Sequence, residues 1–134
     1  MNVQEAYEFT NKERLAVLST VTDTGQPQSA LLGMAVTQQL EIIFDTVNSS
    51  RKHPNLKKHP RVAWVLGCTT EVTVQYEGVA EGAGERLAKY KKIYSAHFRM
   101  DPYGRAGTYF VARPTWVRYC DYNPESRRIE ERKF

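Results

Sequence analysis

The sequence predicts a mainly β (α+β) domain in which about six antiparallel strands form a small closed or partly closed barrel with two or three flanking helices. Short apolar segments rich in β-branched residues recur along the chain and are separated by short turns, which is typical of such a barrel. Strands and helices do not alternate regularly, so a doubly wound parallel sheet is not expected. The 134 residues contain no linker, repeat or low-complexity segment, which predicts a single domain over 1–134.

The composition is that of an ordinary globular protein, with 41% hydrophobic and 25% charged residues. No apolar run approaches the roughly 20 residues that cross a bilayer, and the N-terminus has no basic region followed by an apolar stretch. We therefore expect no membrane partner and a cytoplasmic location. Cys68 and Cys120 match no CxxC pattern, and the histidines show no ligand spacing with them, so we expect reduced cysteines and no metal site.

The first half of the chain predicts one helix and three strands. The first dozen residues form a short amphipathic helix in this prediction, because the following positions recur at helical spacing: Val3, Ala6, Tyr7, Phe9 and Thr10. Strands are predicted at 15–21, 28–36 and 39–46. Gly33 lies inside the second of these strands, which indicates a bulge or a close backbone approach.

The second half predicts three further strands, at 61–66, 71–82 and 108–122, and a helix at 84–100. On the long strand, one face carries Val72, Val74 and Tyr76, and the other carries Thr73, Gln75 and Glu77. The helix has a packing stripe formed by Leu87, Tyr90, Lys91, Tyr94 and Phe98. Trp64 is expected in the core, because large aromatic side chains usually supply buried area, and the polar end at 123–134 is expected on the surface.

The junction at 44–56, F-D-T-V-N-S-S-R-K-H-P-N-L, concentrates groups that bind phosphate. Thr46 and Ser50 supply hydroxyl donors, Arg51 can hold two phosphate oxygens at once, and Lys52 adds a point charge. The alternative interpretation is a capped surface helix with two solvated basic residues. The residues alone leave these two interpretations open.

A proline inside this junction predicts where the helix begins. Pro54 is best placed at the first helical position, so the helix is expected to start near His53. Residues 49–52 would then form a loop with unpaired amides that point at an anion. Asn55 is expected to bond back across that loop.

Four segments between residues 15 and 122 carry a broader pattern: LAVLSTVTDTGQPQSA, FDTVNSSRKHPNLKKHPRVAWVL, VTVQYEGVAEG and RPTWVRYCDY. Their most specific part is the run T-x-x-x-S-R-K-x-x-N-L followed by a P-x-V-A strand. This pattern resembles the pyridoxamine 5'-phosphate oxidase-like, FMN-binding split-barrel family. The resemblance implies a six-stranded antiparallel split β-barrel with two or three flanking helices.

The resemblance also implies an FMN cofactor at the interface of a homodimer, and redox chemistry on a small-molecule substrate. In the family, the threonine that ends the third strand and the Ser-Arg-Lys triplet bind the flavin ribityl chain and phosphate. These positions are Thr46, Ser50, Arg51 and Lys52 here. The resemblance places five further residues at the site: Asp45, Thr73, Gln75, Trp116 and Arg118.

One departure from the vitamin B6 oxidases concerns the second strand, where they carry an Arg and a Lys near the flavin. Residues 30–35 read A-L-L-G-M-A here, so pyridoxine phosphate is not the expected substrate. The chain shows no nucleophile–base motif, which is compatible with a flavin that performs the redox step with its own ring.

Two other classes of function remain open. One is a non-catalytic flavin-binding or stress-response protein, since relatives that bind F420 or haem keep the same barrel. The other is a basic nucleic-acid-binding barrel. The net charge is only +4, and the basic residues are spread over several elements and interleaved with acids, so no nucleic-acid partner is expected.

Overall fold

The computed structural model describes residues 2–98 and 107–134. Within these residues the chain forms three α-helices: α1 (Val3–Thr10), α2 (Lys52–Lys58) and α3 (Leu87–Phe98). It also forms eight strands: β1 (Leu15–Val21), β2 (Pro27–Gly33), β3 (Ala35–Val36), β4 (Ile42–Val47), β5 (Arg61–Leu66), β6 (Val72–Gly82), β7 (Gly107–Asp121) and β8 (Arg128–Lys133).

The strands form one antiparallel sheet in the order β2-β1-β5-β6-β7-β4-β3, with β8 as an additional partner of β7. β7 is the central element, because its 15 residues serve three neighbours. One edge pairs with β6, while the other edge pairs first with β4 and then with β8. The sheet curls into a split barrel of the mainly β, α+β class, which confirms the predicted fold class.

The curl of the sheet has a local cause in the longest ladder. The β6–β7 register shifts between Glu77 and Gly78, which is a β-bulge, and bulges bend and twist the strand that carries them. A Cβ atom at Gly78 would collide with the Arg113 carbonyl oxygen, so the bulge requires glycine. Gly33 forms no bulge with β1, because the β1–β2 register runs without a shift up to Gly33.

Three boundaries differ from the sequence-based expectation. The predicted strand at 28–36 is two strands, because the backbone amide of Met34 leaves the ladder and donates to Arg14 O at 3.1 Å. The polar C-terminal end forms β8, whose backbone pairs with the free edge of β7 although few of its side chains are buried. The predicted helix at 84–100 starts with a 3₁₀ turn at Gly84–Arg86, and its last two positions lie outside the described residues.

The main core fills the inside of the curled sheet and is closed by α1 and α2. Its largest buried side chains include Leu18, Phe44, Trp64, Leu66, Val74 and Val117. Trp64 meets Phe44 edge to face at a centroid distance of 5.0 Å, which confirms that this tryptophan belongs to the core. α1 begins with a capping box between Asn2 and Glu5, as expected for a helix at this position.

A second, smaller core lies between α3 and the outer side of β4 and β7. It contains Ala35, Ile43, Tyr90, Tyr94, Tyr109 and Val111. The predicted stripe on α3 is therefore confirmed at its tyrosines, whereas Leu87 is exposed, and the side chain of Phe98 lies outside the described residues. Among the described helices, none has the length and hydropathy needed to cross a bilayer.

Candidate functional site

The turn between β4 and α2 carries the predicted phosphate-binding residues. Thr46 is buried at the end of β4, and its Oγ1 lies 2.7 Å from Ser50 Oγ. The Ser50 amide donates to Val47 O at 3.0 Å, and the His53 amide donates to Ser50 O at 3.3 Å. The Ser50 and His53 amides are thus used by the turn itself.

Helix α2 starts at Lys52, one residue earlier than expected, so Pro54 is its third residue rather than its first. Proline is tolerated there because the first amides of a helix have no intrahelical acceptor.

The two cations of the turn are available to an external anion. Arg51 is exposed and Lys52 is half-buried. Within residues 2–98 and 107–134, neither side chain takes part in an ion pair or a side-chain hydrogen bond. Lys58, at the other end of α2, differs because its Nζ lies 3.2 Å from Asp23 Oδ2. The positive charge of α2 is therefore uncompensated at its start.

The Asp23 carboxylate also accepts a hydrogen bond from His59, with Oδ1 2.7 Å from Nε2. These contacts, first the bond to His59 and then the bond to Lys58, lower the pKa of Asp23 below its ordinary value. They join the C-terminal end of α2 to the turn between β1 and β2. The helix is thus attached to the sheet at the end away from Arg51.

A cleft of about 100 Å³ lies beside the two cations. Its walls come from β1, β2 and the start of α2, with the lining residues Leu18, Thr20, Gln28, Ser29, Ala30, Arg51 and Lys52. Thr20 and Gln28 were not predicted as site residues. The available signal was weak: Thr20 is a polar residue at an inward-facing position of a strand whose other inward residues are Ala16 and Leu18.

Asn55 connects α2 to the walls of this cleft. Its side-chain nitrogen donates to Thr20 Oγ1 at 3.1 Å and to Gln28 Oε1 at 3.0 Å. The sequence-based expectation that Asn55 bonds back across the 49–52 loop is therefore wrong. The amide instead reaches two strands that precede it by 35 and 27 residues.

Asp45 lies on the opposite side of β4 from Thr46. It is buried against α3, where the Tyr94 hydroxyl donates to its Oδ1 at 3.0 Å. Adjacent residues of a strand point to opposite faces, so the Asp45 side chain turns away from the cleft of its own chain. Its assignment to the flavin site stays a prediction.

The remaining predicted residues lie together on the outer face of the sheet. Gln75 on β6 is directly opposite Arg118 on β7, and Trp116 is opposite Glu77 two pairs further along. The Thr73 hydroxyl, on the same face, donates to Leu66 O at 3.0 Å. Arg118 Nε is buried, and no acceptor for it exists in the part of the chain that the structure describes.

The outer face and the cleft are separated within one chain. The register runs from Ser29 at the cleft through Ser19, Ala63 and Glu77 to Trp116. These four steps of about 4.8 Å make a path of roughly 19 Å along the curled sheet. Trp116 is therefore not among the residues that line the cleft of its own chain.

The same outer face is unusually apolar near β1, β2 and β5. Leu31, Val17 and Val65 form one cross-strand row that continues into Gln75 and Arg118. Leu31 is 63% exposed and Val65 is 40% exposed. Contiguous apolar residues on a sheet face are typical of a surface that contacts another molecule.

Comparison with known proteins gives this geometry a family context. The family described as pyridoxamine 5'-phosphate oxidase matches residues 3–121 of the chain. No curated protein sequence matches the chain significantly. Among solved structures, general stress protein 26 from Bacillus anthracis str. Sterne is similar with a TM-score of 0.75 and 22% identity, over 100% of both chains.

Two further solved structures have the same fold. A heme binding protein from Mycobacterium smegmatis has a TM-score of 0.79 at 19% identity; the match covers 98% of this chain and only 57% of that longer one. A pyridoxamine 5'-phosphate oxidase-related, FMN binding protein from Nostoc punctiforme has a TM-score of 0.64 at 11% identity, over 98% and 92% of the two chains. Because the family match extends through all strands from β1 to β7, the chain belongs to the pyridoxamine 5'-phosphate oxidase-like family.

Proposed function

We propose that this protein is a homodimeric FMN-dependent oxidoreductase that acts on a small molecule other than pyridoxine phosphate. The observation that carries the proposal is the pair of uncompensated cations, Arg51 and Lys52, beside a cleft with polar walls. The family context supports it, because a solved relative is described as FMN binding.

The cleft fits the phosphate end of FMN in charge and in hydrogen-bonding chemistry. A phosphomonoester carries a charge of about −1.5 to −2 at neutral pH and presents acceptor oxygens only. Two cations match that charge, and a guanidinium can bind two oxygens at once. The hydroxyls of Thr46 and Ser50, on the same turn, supply donors toward the adjoining ribityl chain in this proposal.

The isoalloxazine ring requires more space than this cleft offers. Ligand pockets usually enclose about 300–1,000 Å³, whereas the cleft measures about 100 Å³. We therefore infer that the ring lies outside the cleft, where a second subunit covers it. The apolar row with Leu31 and Val65 is the surface proposed for that contact, and it brings the partner's Trp116 and Arg118 toward the ring.

FMN, when bound, supplies the hydride-transfer chemistry of the reaction. The residues of this chain bind and orient it in this proposal: Arg51 and Lys52 hold its charged end, and the partner's Arg118 places its guanidinium group near the ring. The 30–35 segment has no basic residue for a second phosphate, which favours an uncharged or weakly charged substrate. A planar substrate fits best, since it can stack on the open ring face beside the partner's Trp116.

The test is FMN binding by wild-type protein and by R51A/K52A. We expect the wild-type protein to be yellow and the double variant to bind FMN at least about 100-fold more weakly, from two lost charge-assisted bonds of about 1.5–3 kcal/mol each. The matched control is K57A/R61A, which removes the same charge from the next part of the chain without touching the cleft. FMN affinity that survives R51A/K52A, or falls equally in the control, contradicts the proposed site.

A non-catalytic carrier is the second candidate, because one solved relative is a general stress protein and another binds heme. Oxidation of NADH or NADPH by the FMN-loaded protein, with a panel of electron acceptors, separates the two candidates. Turnover supports an oxidoreductase. FMN binding without turnover across the panel supports a carrier.

A further inference from the structure

A buried side-chain network joins α2 to the walls of the cleft. Asn55 is 8% exposed and Thr20 is 2% exposed. Asn55 donates to Thr20 on β1 and to Gln28 on β2. The network therefore connects every element that lines the cleft, and two of its members, Thr20 and Gln28, lie on the cleft wall opposite Arg51 and Lys52.

The direction of these bonds determines what the cleft can offer to a ligand. A side-chain amide nitrogen has two hydrogens, and Asn55 uses one for each neighbour. Thr20 and Gln28 both receive their bond on oxygen, so the Thr20 hydroxyl hydrogen and the Gln28 amide hydrogens remain available. Over residues 2–98 and 107–134, no side chain or carbonyl accepts these hydrogens.

A buried hydroxyl hydrogen is more stable with an acceptor than without one. The hydroxyl of Thr20 is the most buried of these donors and lines the cleft. A ligand with acceptor oxygens only would satisfy it, whereas a ligand group that itself donates would compete with Asn55. The network thus favours the same kind of ligand as the two cations do, which is a group with acceptor oxygens only.

We propose that Asn55 is a positioning residue that fixes Thr20 and Gln28 as donors, so that the cleft selects a phosphomonoester over a neutral hydroxyl at the end of its ligand. This inference rests on the proposed function and adds two binding residues, Thr20 and Gln28, and one positioning residue to it. FMN and riboflavin are the matched probes, because they share the ring and the ribityl chain and differ only in the phosphate.

The experiment measures the dissociation constants of FMN and riboflavin, by quenching of flavin fluorescence, for wild type, T20V, T20S and N55D. T20V removes the hydroxyl and keeps the shape, so FMN should bind about 10- to 100-fold more weakly, the loss expected for one bond to a charged acceptor. Riboflavin affinity should stay unchanged, and T20S should restore FMN affinity. N55D should also weaken FMN alone, because a carboxylate accepts the hydrogens of Thr20 and Gln28 and withdraws them from the cleft.

The control is T24V, which makes the same substitution at an exposed hydroxyl on the turn after β1, where Thr24 contacts Thr22 and does not line the cleft. It should change neither constant. This inference is wrong, and the proposed function stands, if T20V weakens the binding of FMN and riboflavin equally. The same holds if T20V weakens the binding of neither while the wild type binds FMN. If wild-type protein does not bind FMN, the proposed function is wrong and this inference fails with it.

Discussion

The cleft and the outer sheet face present polar groups in opposite ways. In the cleft, Arg51 and Lys52 are adjacent in sequence and lie on a short turn, and the polar wall opposite them is held by Asn55. On the outer face, Gln75 and Arg118 lie within an apolar surface, and the Arg118 Nε is buried without an acceptor in the described chain. The first region therefore combines two cations with a polar wall, whereas the second combines polar groups with an apolar surface.

The difference suggests separate binding roles for the two regions in the proposed dimer. A charged group in a small cleft can bind a phosphate without any second subunit, since its donors come from one chain. A buried donor on an apolar face becomes useful only when another surface excludes water around it. The following experiments separate the two regions, beginning with the one that should have the largest effect.

A charge at the centre of the outer face should prevent dimerisation. Val65→Glu places a carboxylate in the apolar row of each subunit, and an unpaired buried charge costs several kcal/mol. We expect the dissociation constant of the dimer, measured by analytical ultracentrifugation, to be at least about 100-fold higher than in wild type. The control is Leu87→Glu, which changes an equally exposed apolar residue on α3. A monomeric L87E variant beside a dimeric V65E variant would show that the interface lies on α3 and not on the apolar row.

Mixed dimers test whether one flavin is held by two chains. If Arg51 and Lys52 of one subunit and Arg118 of the other contact the same flavin, homodimers of R51A/K52A and homodimers of R118A should both bind FMN more weakly than wild type. Dimers that contain one chain of each variant regain one intact site, so half of their sites should bind with wild-type affinity. Titration of FMN into co-refolded, differently tagged mixtures measures this, and no recovery would mean that each site is built within one chain.

A change beside Asp45 tests whether this residue stabilises the fold or contributes to flavin binding. Tyr94→Phe removes the hydroxyl that donates to the buried Asp45 carboxylate, so unfolding should become easier by about 1.5–3 kcal/mol. FMN affinity should change less than in T20V, since the side chain of Asp45 faces α3 rather than the cleft. Urea denaturation measures the stability of the variant, and FMN titration measures its affinity. A Y94F variant that is as stable as wild type but binds FMN weakly would indicate that Asp45 belongs to the flavin site.

Much of the fold was predictable from residue patterns. The alternation along β6 correctly placed Val74 and Tyr76 on one face, which is buried, and Thr73 and Gln75 on the other. The helix at the N-terminus and the core position of Trp64 also followed from spacing and size. β8 was missed because strand prediction depends on apolar side chains, whereas β8 is held mainly by backbone pairing to β7.

The site was predictable only where its residues are close in sequence. The Ser50-Arg51-Lys52 triplet is visible as a motif, and the structure places both of its cations at the cleft. The bond from Asn55 to Thr20 spans 35 residues, and no local pattern specifies it. The pairing of Gln75 with Arg118 depends likewise on the register of two long strands.

The sequence by itself determined most of the strand and helix segments and the cluster of positive charge after β4, because these depend on periodicity and on neighbouring residues. Only the tertiary structure decided which polar side chains line the cleft and which lie on the outer face. The physical reason is that the curl and register of the sheet set the distances between residues far apart in the chain. Those distances, rather than the residue types, separate the cleft from the outer face of the sheet.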